Sequence, residues 1–219
     1  MPEITRRQAM SMLAVTVAGG ALLPRAAFAQ QNIMNADVCV ITPETTEGPY
    51  YFDPALLRSD ITEGRPGLPL TVRLQVVDAV CAPIADARVD IWHCDADGIY
   101  SGYNGFEGET FMRGTQMADA DGIVTFETVY PGWYPGRTPH IHFKVFPNPS
   151  SVVTGQIFFP DDVSDQVYAT IAPYSARDGE AMSNDRDGIA QQAGAASVAS
   201  IEQTAKAYTA ALVIGVAAT

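Results

Sequence analysis

His140 and His142 stand one residue apart at the head of the apolar run "HIHFKVF". Residues i and i+2 of a strand share a face, so the two imidazoles point the same way. Such a pair suits either a metal ion or a hydrogen-bonded couple. A metal needs more donors. The remaining histidine, His93, is distant in sequence, and a three-histidine zinc or copper site would use every histidine present. No carboxylate stands at a spacing that completes a two-histidine, one-carboxylate set. Tyrosine is left. Tyr134 lies six residues before His140, in a loop marked by Pro131, Gly132, Pro135 and Gly136. Tyr100 closes the segment "DADGIY". A phenolate is a hard, strongly donating ligand. It favours a trivalent cation such as Fe(III) over Zn(II), because the higher charge lowers the phenol pKa. Taken singly, each tyrosine reads as packing; the constellation favours a metal. Arg137 alone reads as an ion-pair partner for one of the many acids, but three residues before His140 it reads as a cation of the same site. His93 reads as a satisfied structural histidine, and Trp92 and Trp133 as packing.

These residues need strands and loops to hold them. "LPLTVRLQVVDA" alternates, with Leu70, Val72, Leu74 and Val76 on one face. "RVDIWHCD" alternates again. "TFMRGTQMA", the turn "DADG" and "IVTFETVY" read as a hairpin. "HIHFKVF" and "GQIFFP" read as strands, "DDVSDQVYATIAPY" as a short helix opened by acids, and "SARDGEAMSNDRDGIAQQAGAAS" as a loop. "AYTAALVIGVAA" is too short for a membrane span and reads as a buried strand. Residues 30–69 carry little periodicity and are expected to run irregularly over a surface. The expected fold is all-β: a β-sandwich core with long functional loops and at most one or two short helices.

The first 29 residues read as an export signal. Arg6 and Arg7 precede the apolar run "MSMLAVTVAGGALL", and Ala27 and Ala29 fit a small-x-small cleavage site. The paired arginines suggest the twin-arginine route. Residues 30–219 then form a single domain, long enough to bury a sizeable core. The formal charge of the whole chain is −12. The signal carries a net positive charge, so the remainder is more acidic still, which argues against nucleic acid and anionic lipid as partners. The expected place is periplasmic or extracellular. Cys39, Cys81 and Cys94 allow one bridge and one free thiol in an oxidising compartment, without choosing the pair.

The segments "TPETTEGPYY", "VDIWHCDADGIYSG", "DADGIVTFETVYPGWYPGRTPHIHFKV" and "TGQIFFPD" resemble the intradiol ring-cleavage dioxygenases, among them catechol 1,2-dioxygenases and protocatechuate 3,4-dioxygenases. The likeness runs from about residue 42 to 160, with a weaker echo in "NDRDGI". It implies one non-haem Fe(III) held by Tyr100, Tyr134, His140 and His142, with Tyr103 as the rival to Tyr100. It implies that Tyr134 is both ligand and base and that Arg137 stabilises developing charge. Gly48, Pro49, Tyr50 and Gln156 match positions at the substrate pocket. The implied reaction inserts O2 between the two hydroxylated carbons of a catechol-type aromatic and yields a cis,cis-muconate-type product. In this chain Trp133 precedes the tyrosine instead of following it, so pocket shape is expected to differ from the protocatechuate enzymes. The competing class is a non-enzymatic secreted β-sandwich, a carrier or binding module. The four-ligand set separates the two, because a carrier has no need of it. A zinc or copper enzyme is a third reading.

Overall fold

The computed structural model describes residues 40–217 apart from Pro54. The expected signal segment, 1–29, and Cys39 lie outside the described residues.

Among the described residues, eight strands form two four-stranded sheets. The first has the order β4-β1-β8-β7, built from β1 (Pro69–Val77), β4 (Ile123–Val129), β7 (Ser200–Gln203) and β8 (Tyr208–Gly215). The second has the order β3-β2-β5-β6, built from β2 (Arg88–Trp92), β3 (Arg113–Met117), β5 (His140–Asn148) and β6 (Ser151–Phe158). Pairing is antiparallel except between β1 and β8. The alternation expected in β1 holds: Leu70, Val72, Leu74 and Val76 are buried. They share one apolar cluster with Val89 and Ile91 of β2 and Ile141, Phe143 and Val145 of β5. That cluster is the interior of the sandwich.

The period-2 rule then places Asp90 and Trp92, and His140 and His142, on the outer face of the second sheet. There they meet a separate aromatic cluster, in which Trp92, Cys94 and Tyr100 are joined by Tyr50, Tyr51, Tyr103 and Tyr134. The part of the outer face around Trp92 and the two histidines is therefore dry. Loops cover it, not a third layer.

Several expectations change. β3 and β4 do not form a hairpin: β3 pairs with β2 and β4 with β1. The turn itself is as read, with the Asp119 carboxylate accepting from Asp121 N and Ile123 N. Turn chemistry reverses the chain but does not choose the partner strand. Here the reversal is a corner between sheets. β2 stops at Trp92, before His93. The stretch expected to be a loop, 175–197, contains helix α2 (Gly188–Ala193), capped by the Asp187 side chain and ended at Gly194. Six residues are too few to show helical periodicity. Helix α1 (Asp161–Thr170) is where it was expected, with Asp161 and Asp162 in its first turn, where the helix dipole favours acids, and Val163 and Val167 buried. No described helix is long and apolar enough to cross a membrane. Cys81 is disulfide-bonded, and Cys94 is free and buried.

Candidate metal centre and active site

β5 sits inside the second sheet, so its outward histidines have neighbours on both sides. His142 pairs in register with Trp92 of β2 and with Gln156 of β6. The Trp92 ring stacks on His142 with centroids 4.9 Å apart. The two histidine Nε2 atoms are 3.1 Å apart. His140 Nδ1 lies 2.6 Å from the Thr138 carbonyl oxygen. A carbonyl only accepts, so Nδ1 carries the proton and Nε2 presents its lone pair. Tyr134 Oη is 3.1 Å from that same Nε2. The Tyr100 ring lies edge-on to Tyr134 at 5.8 Å and to His142 at 6.2 Å. Its hydroxyl is buried without a hydrogen-bond partner among the described residues. Tyr103, the rival, spends its hydroxyl on the Tyr51 carbonyl at 3.2 Å. The structure therefore brings Tyr100, Tyr134, His140 and His142 together and turns Tyr103 away.

Local sequence explains the loops. Tyr134-Pro135-Gly136-Arg137 is a four-residue turn closed by Arg137 N donating to Tyr134 O at 3.4 Å. Proline suits its second position, and Gly136 has the positive φ (89°) that its third position demands. The turn sets Tyr134 and Arg137 side by side. The loop that leads to Tyr100 winds around Asp95, whose carboxylate accepts from Asp97 N and Ile99 N and pairs with Arg65. The two tyrosine loops are stitched together, Gly132 N donating to Asp95 O at 2.9 Å. Arg177 clamps both: Nη1 donates to Ala96 O at 3.1 Å and Nη2 to Trp133 O at 2.8 Å. Its guanidinium also covers the Trp133 ring, so Trp133 packs, as expected. His93 is a structural histidine, bonded to Cys94 O and Thr128 Oγ1 at 2.8 Å each.

Arg137 is aimed by its neighbours. Nε donates to Asp187 Oδ2 at 2.7 Å and Nη2 to Gln156 Oε1 at 2.5 Å, while Nη1 stands 3.4 Å from His140 Nε2. Gln156 also donates to Thr46 O at 2.9 Å, which ties the 46–50 segment to the site. Both ends of that amide are thus engaged by protein. A Cβ at Gly48, where φ is 72°, would press on His142 Cε1, so a residue without a side chain is wanted there. The Tyr50 ring stacks on Tyr100 at 4.3 Å. Pro49 is exposed in the turn between them. Beside Tyr134 a cleft of about 460 Å³ opens between Trp133–Gly136 and Gly179–Met182.

Burial dominates the electrostatics. It pushes Tyr134 up to about 12 and Tyr100 well above its usual value. It pushes His140 down to about 3 and His142 well below the usual range. Both imidazoles are consequently neutral and hold lone pairs. Both phenols stay protonated unless a strong positive charge joins them. The Asp187 carboxyl is held below its usual range: burial raises it, but the Arg137 and Thr138 hydrogen bonds outweigh that.

The donor set fits Fe(III). Among the described residues no three His, Cys, Asp or Glu side chains cluster; the further donors beside His140 and His142 are the tyrosine oxygens. Two phenols and two neutral imidazoles meet in one dry spot, and the buried Tyr100 hydroxyl faces Tyr134 without a well-formed hydrogen bond. A buried hydroxyl without a partner is costly unless something else binds it. A trivalent cation supplies the charge that ionises both phenols.

Sequence reasoning missed two residues here. Asp187 lay inside the quoted echo "NDRDGI", which was a signal of sorts. Arg177 had none.

Comparison with known proteins agrees with the geometry. The family model described as Dioxygenase matches residues 46–182. An intradiol ring-cleavage dioxygenase from Tetranychus urticae is 37% identical, superposes with a TM-score of 0.76, and is matched over 81% of this chain and 94% of its own. Catechol 1,2-dioxygenase 1 of Acinetobacter lwoffii is 28% identical over 157 residues, 59% of this chain and 50% of its own length. A chlorocatechol 1,2-dioxygenase of Cupriavidus pinatubonensis is 29% identical over 136 residues, 52% of each chain. The chain spans about half the length of these curated relatives. A two-sheet sandwich with a tyrosine–histidine cluster on its outer face defines a class, and this chain belongs to the intradiol ring-cleavage dioxygenase family.

Proposed function

We propose that the protein is an Fe(III)-dependent intradiol dioxygenase. It inserts O2 between the two hydroxylated carbons of a catechol-type aromatic and gives a cis,cis-muconate-type product. The observation that carries this reading is the convergence of Tyr134 Oη, His140 Nε2 and His142 Nε2 within 3.1 Å contacts, with the buried Tyr100 hydroxyl beside them, short of a well-formed hydrogen bond.

Tyr100, Tyr134, His140 and His142 would hold the iron. When bound, Fe(III) supplies a Lewis-acid centre that chelates a catecholate and makes its ring reactive towards O2. The protein's own residues do the rest. Tyr134 is less buried than the other three ligands and adjoins the cleft, so its oxygen can leave the cluster and take a catechol proton. Tyr100 sits under Tyr50 and stays in place. Thr138 holds His140 in one tautomer. Arg137 Nη1 presents a fixed positive charge to the face where ring charge develops. Trp92, Tyr50 and Tyr100 exclude water.

The same reading includes export. Residues 1–29 support it by their arginine pair and apolar run. The disulfide at Cys81 supports it too, because such bonds persist in oxidising compartments.

The test is a visible spectrum of the purified protein with metal analysis of the same sample, then oxygen uptake with catechol. A broad tyrosinate-to-iron band that shifts on adding catechol, with oxygen consumed, is the expected result. A protein that stays colourless after ferric reconstitution would remove the iron site from consideration.

A further inference from the structure

We propose that Asp187 is a positioning residue for the ring-cleavage reaction, acting through Arg137; this rests on the function proposed above. The carboxylate is buried, 3% exposed. Its two oxygens face different ways. Oδ1 caps α2, accepting from Ile189 N at 2.8 Å and Ala190 N at 3.3 Å. Oδ2 faces the site, accepting from Arg137 Nε at 2.7 Å and Thr138 N at 3.0 Å. One side chain thus fastens the start of a helix to the arginine of the site.

The geometry explains why Arg137 needs it. A guanidinium held at one nitrogen can still swing about its stem. Held at Nε by Asp187 and at Nη2 by Gln156, its plane is fixed and Nη1 is left facing His140 Nε2. Gln156 is neutral, so Asp187 is the charged anchor, and charge-assisted hydrogen bonds are the stronger ones. Without it, Arg137 would keep its charge and lose its aim. Electrostatic stabilisation depends on that aim being set before charge develops. His140 should be spared. Thr138, whose carbonyl orients it, has a second anchor in Oγ1 donating to Asn184 Oδ1 at 2.9 Å.

Asp187→Ser separates the two duties. Serine is a good helix N-cap, but it is too short and uncharged to hold Arg137. The first measurement is the arginine Nε–H NMR signal of the full chain without added metal, assigned by its loss in Arg137→Lys. In the wild type this proton should exchange slowly; in D187S it should exchange at least about tenfold faster. The second is turnover of catechol by the iron-loaded protein. D187S should lose at least about tenfold in kcat while KM stays within about threefold and iron content is kept.

A folded D187S with an unchanged Nε–H signal and kcat within about twofold of wild type would overturn the proposal. So would a loss of iron in proportion to the loss of activity, since Asp187 would then serve the metal frame. Asp187→Asn keeps the side chain's size without its charge. Failure of both D187S and D187N to fold would assign Asp187 to the framework alone. A wild type inert towards catechols but with a slowly exchanging, Asp187-dependent signal would sink the function reading. The pairing would survive, but its catalytic meaning would not.

Discussion

Tyr134 and His142 belong to the same cluster, yet their loss should read differently. Tyr134 is the partly buried donor next to the cleft. His142 is buried, stacked on Trp92 and close enough to Gly48 that a side chain there would crowd it. Tyr134→Phe should keep most of the iron but lower kcat/KM by about 100-fold or more, the usual worth of a positioned base. His142→Ala should lose most of the iron, because it removes a buried donor and leaves a hole under Trp92, whereas Tyr134→Phe keeps its ring in place. Metal analysis and steady-state kinetics on the same preparations check both. Normal cleavage by Tyr134→Phe would mean that Tyr134 moves no proton. The individual donors were legible early. Two histidines at i and i+2 share a face whatever the fold, and Pro135 and Gly136 mark a loop at Tyr134; that this loop is a turn setting Tyr134 beside Arg137 came only with the structure. What the residues did not reveal was Arg177, because an arginine in a loop reads like any other solvated cation until its carbonyl partners are known.

The two tyrosine loops are short, irregular elements held by each other and by Arg177. It bridges Ala96 O and Trp133 O and covers the Trp133 ring. Arg177→Ala should leave two carbonyls short of a donor and cost about 1–3 kcal/mol of stability. It should also weaken iron binding, since the spacing of Tyr100 and Tyr134 is no longer set. Arg177→Lys should rescue little, because an ammonium cannot span two carbonyls as a planar fork does. Thermal denaturation and chelator competition measure the two effects. Stability loss with unchanged iron affinity would show that the clamp matters to the fold and not to the site. At this scale the sequence was partly legible. β1, β5, α1 and β8 followed their patterns. The hairpin expected from β3 and β4 did not form, since each strand finds its partner in a different sheet. Helix α2 was hidden by its brevity.

Burial governs the protein's response to acid. The neutral histidines are paired or enclosed: burial holds His93 near 4 and His140 near 3, and His142 is lowered too. Unfolding exposes them to water, where each titrates near 6.5. Between about pH 6.5 and 4 the unfolded chain therefore binds more protons than the folded one, and stability falls as pH falls. His93 alone should account for a loss on the order of 3 kcal/mol across that window. Urea denaturation of the metal-free protein at several pH values measures it. A midpoint that stays level from pH 6.5 to 4 would mean that the histidines are not buried in neutral form.

The sequence by itself determined the kinds of donor, the pairing of the histidines on a strand, the loop that carries Tyr134, and the alternation that makes a sandwich. These are local matters, set by backbone geometry and period. It did not determine which face of which sheet would be dry, that Tyr100 and not Tyr103 would point inward, or that Asp187 and Arg177 would reach back across the chain. Those outcomes depend on contacts between residues 44 to 81 positions apart. Tertiary structure alone decides such contacts, because the free energy of burying an aromatic or satisfying a buried carbonyl exists only once the distant segments have met.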